Sequence, residues 1–401
     1  MERADEMAEF LRRCWAVINL DNVAHNLREI RSKLRPGCMI MGVVKADAYG
    51  HGDKYIVDEL VKLGVNWFAV SNINEAVSLR TQGIYHPILI LGTTPAAMAG
   101  QLCQYNITQT VFSPEYACQL QEQAALQGVT VQCHIKVDTG MCRLGFNGTS
   151  PKALDEIEAA CRCPNLNIDG IFTHFSSSDE YNEESIAFTK EQFSVFQQVC
   201  QNLEQRGITF SLRHCSNSGG IVNYPEMNLD MVRAGILMYG LLPDKACQGK
   251  IDLKPVMELR AVVSMVKQVA AGVKVSYGRT FTVEQDMTLA TIPLGYADGY
   301  HRLLSNQGKM LVNGQFAPIV GRVCMDQLVL DVTGIPHVAE GSEVTVVGES
   351  QGRTITMDEV AQLCGTANYE IMCILGRRVP RVYYRGGENI GVVDYIRHNV
   401  E

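Results

Sequence analysis

The chain has 401 residues, 46% hydrophobic and 19% charged, with a formal net charge of −8. Such a length exceeds one ordinary core and points to two domains. The acidic balance argues against a nucleic-acid partner, and no apolar run reaches the ~18 residues of a membrane-spanning helix.

Residues 1–13 are charged and mixed, with no apolar segment of signal-peptide length. The first clear strand is the apolar run 39–44, ending at Lys45. A helix follows with Ile56, Leu60 and Leu63 on one face and Gly64 as its stop. Residues 67–70 read as a strand, 74–82 as a helix closed by Gly83, and 88–91 and 110–112 as strands. Ser113-Pro114-Glu115 is a helix start, a capping side chain followed by a first-turn proline. Residues 131–137, 168–173 and 211–215 continue the strand series, and the strand around Val232 closes it. A helix with Phe193, Phe196, Cys200 and Leu203 on one stripe lies between two of these.

Strands alternating with helices imply parallel pairing with helical crossovers. About eight such strands over roughly 230 residues favour an N-terminal (β/α)8 TIM-type barrel. An open doubly wound sheet is the competing arrangement, but neither dinucleotide-binding nor phosphate-loop glycine motif is present. Past about residue 250 the texture changes. Residues 259–269, 287–294, 309–312, 318–323, 327–332 and 343–347 are short strand-like runs, Asn313-Gly314 reads as a hairpin turn, and only 356–363 looks helical. The expected division is 1–248, a barrel, and 249–401, a mostly β domain.

Fourteen cysteines are scattered singly, and the nearest pair, Cys161 and Cys163, lacks zinc-knuckle spacing. They read as reduced small hydrophobes, hence a cytoplasmic protein with no metal site.

In a parallel barrel the chemistry sits just past the strands' C-terminal ends. Lys45 follows the first strand, Lys136, Asp138 and Arg143 another, and His174 a third. Asn217-Ser218-Gly219-Gly220 follows the next, and Arg233 and Gly235 end the series. Any one of these alone is ordinarily a solvated lysine or a satisfied histidine. Together at one barrel mouth they make a polar ligand site.

The segment Val43-Val44-Lys45-Ala46-Asp47-Ala48-Tyr49-Gly50-His51-Gly52 resembles the pyridoxal-5'-phosphate (PLP) lysine signature of the alanine racemase family. Further blocks match in order: 134–145 (HIKVDTGMCRLG), Thr173-His174-Phe175, 231–240 (MVRAGILMYG), Val275-Ser276-Tyr277-Gly278, 292–299 (IPLGYADG), 320–327 (VGRVCMDQ) and Arg378-Val379-Pro380-Arg381. The resemblance spans nearly the whole chain.

It implies a fold-type III racemase interconverting L- and D-alanine, the latter for bacterial cell-wall peptidoglycan. Lys45 would hold PLP through its amine and act as one base. Tyr277, supplied by a partner subunit of a homodimer, would be the second base on the opposite face. A free phenol titrates near 10, so the chain His174–Arg233 would assist it. Arg233 would face the pyridine nitrogen. Tyr49, Ser218, Gly235 and Ile236 would hold the phosphate. Arg143 and, from the partner subunit, the Met325 backbone amide would bind the substrate carboxylate, and Tyr296 and Arg322 would line the entrance. Lys136 matches a lysine carbamylated in some members.

Arg377 stands where some members have tyrosine, so it is either a phosphate contact or an arginine turned to solvent. That position leaves open a serine or broad-specificity racemase. A fold-type III decarboxylase fits poorly, since it would carry an acid in place of Arg233 and a cysteine in place of Tyr277. Cys142, where glycine or histidine is common, is expected to be neutral.

Overall fold

The computed structural model describes residues 10–397, which divide into two compact units. One is built from residues 23–48 and 53–254. The other takes the described residues up to Asn22, the short segment Tyr49–Gly52, and the chain from Pro255 onward.

The first unit is the expected barrel. Eight parallel strands follow in the order Met231–Ala234, Met39–Val43, Trp67–Val70, Ile88–Ile90, Thr108–Val111, Val131–Asp138, Leu166–Phe172 and Leu212–His214. Closure between the last and first is by single bonds. Asp230 N donates to Arg213 O and Arg233 N to Ser216 O, each at 3.0 Å. The strands read as unbroken apolar runs because both faces are covered, and Trp67–Val70 is buried throughout.

The crossover helices begin where capping side chains lie. Asn72, Ser113 and Asn182 each accept a backbone N–H of the first turn. The long helix Glu183–Gln205 buries Thr189, Gln192, Phe196, Val199 and Leu203. Phe193 and Cys200 of the predicted stripe lie at its half-buried edge.

The β unit is organised around an unpredicted strand, Cys14–Asn19. It pairs antiparallel with Met257–Val262 and parallel with Arg381–Arg385. The sheet runs Gln315–Pro318, Lys309–Val312, Glu343–Ser350, Met257–Val262, Cys14–Asn19, Arg381–Arg385, Glu388–Val393. Met265–Val269, Met287–Ile292 and Leu328–Asp331 form a smaller sheet. Asn313 and Gly314, at φ 48 and 70, close the predicted hairpin between Lys309–Val312 and Gln315–Pro318.

Three expectations fail in this unit. Residues 259–269 are not one strand but parts of two, Met257–Val262 and Met265–Val269, which belong to different sheets. Residues 318–323 are not a strand, because Gly321 at φ 80 turns the chain after an isolated bridge at Ile319. A second helix, Asn368–Cys373, follows Met357–Cys364.

Candidate active site

Lys45 directly follows the strand Met39–Val43, and the backbone beyond it turns the wrong way. Ala46, Asp47, Ala48 and Tyr49 have φ of 54, 55, 51 and 54°. A left-handed turn costs a side-chain-bearing residue about 1–2 kcal/mol, so these four are held there by their surroundings. Glu75 supplies part of the hold, accepting Ala46 N at 2.8 Å and Ser71 N at 2.7 Å. Asp47 accepts Asp53 N at 2.9 Å.

Arg233 lies on the strand beside Lys45, in register with Met41, and is buried. Its Nη2 donates to Thr173 O at 2.8 Å, Cys215 O at 2.9 Å and His174 Nδ1 at 3.1 Å, and its Nη1 to His214 Nδ1 at 2.8 Å. Burial pushes the guanidinium down to about 10, which leaves it charged at physiological pH. Because Arg233 only donates, His174 Nδ1 accepts, and the proton of the neutral ring sits on Nε2. Burial, with the charges of Arg233, Lys136, Arg143 and Lys45, holds His174 well below the usual imidazole range.

Lys136 is buried on the strand Val131–Asp138, with Nζ 4.5 Å from the centre of the Phe172 ring. Arg233 lies over the same ring at 5.3 Å. Burial and the neighbouring Arg233 and Arg143 lower the Lys136 ammonium well below its ordinary value. Lys136, Asp138, Met141, Arg143, Thr173 and His174 line one small cleft. Arg143 and Asp138 are its charged side chains, while Lys136 and His174 are pushed toward their neutral forms.

Three residues to which the sequence assigned no role, Gln192, Thr139 and Thr173, support this cleft. Gln192 Nε2 donates to Thr139 Oγ1 and His174 O, each at 3.3 Å, while its Oε1 accepts Ser176 N. Thr139 and Thr173 share a 2.8 Å hydroxyl bond. Only the burial of Gln192 and Thr139 sets them apart, and a single sequence does not display burial. Nearby, Asn217 caps the short helix Ser218–Asn223, and Gly235 N reaches Ser218 Oγ at 3.4 Å just before Ile236 opens a 3-10 turn.

The β unit gathers the remaining predicted residues. Tyr277 is 70% exposed, and Met325 and Tyr296 are 50% and 44% exposed. Tyr296 N donates to Cys324 O at 3.1 Å and Ala297 N to Met325 O at 3.0 Å, so their two loops are stitched together. Ser276 Oγ donates to Arg322 O at 2.7 Å, which joins the turn carrying Tyr277 to the same loop.

Burial pushes the Tyr49 phenol up, beside Cys373 and Tyr369, which makes it a hydrogen-bond donor. Arg377 is exposed, and its Nη2 donates to Tyr395 O at 2.9 Å. Arg381, to which the motif assigns no task, is buried. It donates to the carbonyls of Gly50, Leu375, Gly376 and Val379.

A parallel eight-stranded barrel bearing this polar cleft at its strand ends, with a separate β unit, is the architecture of a β/α-barrel enzyme. The profile of the alanine racemase N-terminal domain matches residues 18–243, and that of the C-terminal domain matches residues 256–383. The chain belongs to the alanine racemase family, isomerases whose members use PLP. An alanine racemase of Desulfovibrio desulfuricans is 46% identical over 377 residues, 94% of this chain and 100% of the relative. The structure of an alanine racemase from Clostridium difficile 630 superposes with a TM-score of 0.91 at 36% identity, covering 97% of this chain and 100% of the other. A histidine racemase from Leuconostoc mesenteroides subsp. sake matches with a TM-score of 0.84 at 30% identity, over 93% and 98% of the two chains. The architecture thus hosts more than one side-chain specificity.

Proposed function

We propose that this chain interconverts L- and D-alanine with PLP, Lys45 and Tyr277 acting as opposed bases in a homodimer. The observation that carries the reading is Arg233. It is a buried guanidinium on the strand next to Lys45, bonded to His174. Such a group opposes protonation of a ring nitrogen placed against it.

The residues present fit the cofactor. Lys45 supplies the amine, Tyr49 and Ser218 hydroxyl donors, and Gly235 and Ile236 backbone amides, a set suited to a phosphate. When bound, PLP supplies an electron sink that acidifies the α-hydrogen of an attached amino acid. Lys45 then takes or returns that proton on one face. The partner subunit's Tyr277 does the same on the other, which is what inversion requires. The exposure of Tyr277, Tyr296 and Met325 supports a role across a subunit boundary, in a two-fold pair. Arg143 and the amide of the partner subunit's Met325 orient the carboxylate, and Lys136 keeps Arg143 in place. All fourteen cysteines are free thiols, which supports a reducing compartment, the cytoplasm.

The test is to incubate the PLP-loaded protein with single L-amino acids in heavy water, following loss of the α-proton and the enantiomer formed. Exchange with D-product for alanine supports the reading. Comparable turnover of serine moves the assignment to a broad-specificity racemase and makes Arg377 the residue to replace. No exchange with any amino acid overturns it.

A further inference from the structure

Arg233 is the inner end of a longer line of side chains across four neighbouring barrel strands. Beyond the Arg233–His214 bond, His214 Nε2 lies 3.2 Å from His134 Nδ1. His134 Nε2 in turn lies 3.3 Å from Asp169 Oδ1. His134, His214 and Arg233 are buried, whereas the Asp169 side chain is 40% exposed. The two facing atoms of His134 and Asp169 are both buried and have no other hydrogen-bond partner among the described residues. They lie at ion-pair distance without a formed hydrogen bond.

The line can run in only one direction. A guanidinium has donors and no acceptor, so His214 Nδ1 accepts. Burial and the charge of Arg233 keep the His214 ring neutral, so its single proton sits on Nε2 and goes to His134 Nδ1. The His134 proton must then lie on Nε2, facing a carboxylate that can only accept. Reversing any link sets two N–H groups against each other at Arg233, 2.8 Å apart.

Packing holds the rings in this geometry. His214 stacks on Phe172 with centroids 4.7 Å apart and planes 5° from parallel. The His134 ring lies beside Trp67 at 5.2 Å and crosses over Gly170, where a Cβ would fall 2.5 Å from the ring.

We infer that Asp169 and His134 are positioning residues for Arg233: through His214 they form a one-way hydrogen-bond line, its order set by Arg233, that anchors the His214 ring and so fixes the guanidinium from outside the cleft. The consequence for catalysis rests on the proposed racemase reading, whereas the proton order does not.

The test uses the full-length, PLP-loaded protein with 15N-labelled histidine. Long-range proton–nitrogen correlation shows which ring nitrogen carries hydrogen. In the parent protein His134 and His214 both carry it on Nε2. In Asp169→Ala the His134 Nε2–H loses its acceptor and its signals shift, His214 keeps Nε2–H against Arg233, and kcat/KM for the amino acid falls roughly tenfold, the weight of about one hydrogen bond. Asp169→Asn, whose amide oxygen still accepts, recovers both. Gly170→Ala, which drives a methyl into the His134 ring, reproduces the Asp169→Ala spectrum from the other side. An Nδ1–H on His214 in the parent protein, or nitrogen spectra unmoved by Asp169→Ala, overturns the inference. A protein that orders these rings but racemises nothing sinks the proposed function and leaves this one standing.

Discussion

Arg381 donates through Nε to the carbonyl of Gly50 at 2.9 Å, tying a late strand to the segment that follows Lys45. The same guanidinium satisfies three further carbonyls in the segment just ahead of its own strand. Replacing it by methionine keeps the volume and leaves four buried acceptors without donors. The expected loss is about 3 kcal/mol or more, read from the denaturant midpoint. Arg381→Lys recovers little of it, because a single ammonium cannot fork to four acceptors. A loss below about 1 kcal/mol would mean that water replaces the guanidinium.

Gly50 has φ 78, and a Cβ there would lie 2.2 Å from the carbonyl oxygen of Met372. Gly128 has φ 65 with open space around it. Both Gly50→Ala and Gly128→Ala incur the left-handed penalty of about 1–2 kcal/mol, but only the first meets fixed backbone. Thermal unfolding of the two variants should therefore differ by a margin that reports the collision. Equal shifts would show that the Asn368–Cys373 helix gives way freely.

The barrel was legible in the sequence because each strand is a short apolar run, and periodicity responds to that. The strand Cys14–Asn19 was not. Its run is short, it adjoins a charged segment, and its partners Met257–Val262 and Arg381–Arg385 are remote in sequence. At the site, motif resemblance pointed to Lys45, His174, Arg233 and Tyr277, since each lies in an ordered block. It gave no role to His134, His214, Gln192 or Arg381. A polar residue in a helix or strand looks the same whether it faces solvent or a buried partner, and only tertiary packing separates the two.

His174 and His214 bear directly on acid stability. Both rings are held well below the ordinary imidazole range, first by burial and then by the charge of Arg233. The unfolded chain therefore takes up these protons before the folded one. Stability is complete above the ordinary pKa of ~6.5 and falls as pH drops below it, by ~1.4 kcal/mol per pH unit for each ring. Urea unfolding across this range checks it. His214→Gln should remove one ring's share of the slope, and a parent protein with flat stability there would contradict the burial argument.

Lys136 is the one buried lysine of the cleft, its amine favoured in the neutral form by burial and by Arg233 and Arg143. A neutral amine is the form that adds carbon dioxide, and the resulting carbamate would place a negative charge among those arginines. Intact mass under gentle ionisation in bicarbonate should show one added carbon dioxide, absent from Lys136→Met. An unmodified parent mass leaves Lys136 acting as a plain amine.

Cys142, expected to be neutral, sits at φ 55 in the loop before Arg143, where its thiol makes only a 3.7 Å contact with Gly140 O. Cys142→Gly should raise stability by up to about 1 kcal/mol, the left-handed relief less the glycine entropy term. Differential scanning calorimetry reads the change, and a lower Tm would show that the thiol contributes packing.

The central strand of the β unit also dictates an order of events during synthesis. Cys14–Asn19 leaves the ribosome first, yet its parallel neighbour, Arg381–Arg385, is among the last segments made. At ordinary elongation rates the nascent chain carries that apolar strand without its permanent partner for roughly 20 to 70 seconds. The barrel strands from Met39–Val43 to Leu212–His214, by contrast, emerge in the order in which they pair, and only Met231–Ala234 returns to the first. The strand Cys14–Asn19 is therefore completed only after the barrel strands have been made. Until then Cys14–Asn19 is the segment a molecular chaperone has most reason to cover.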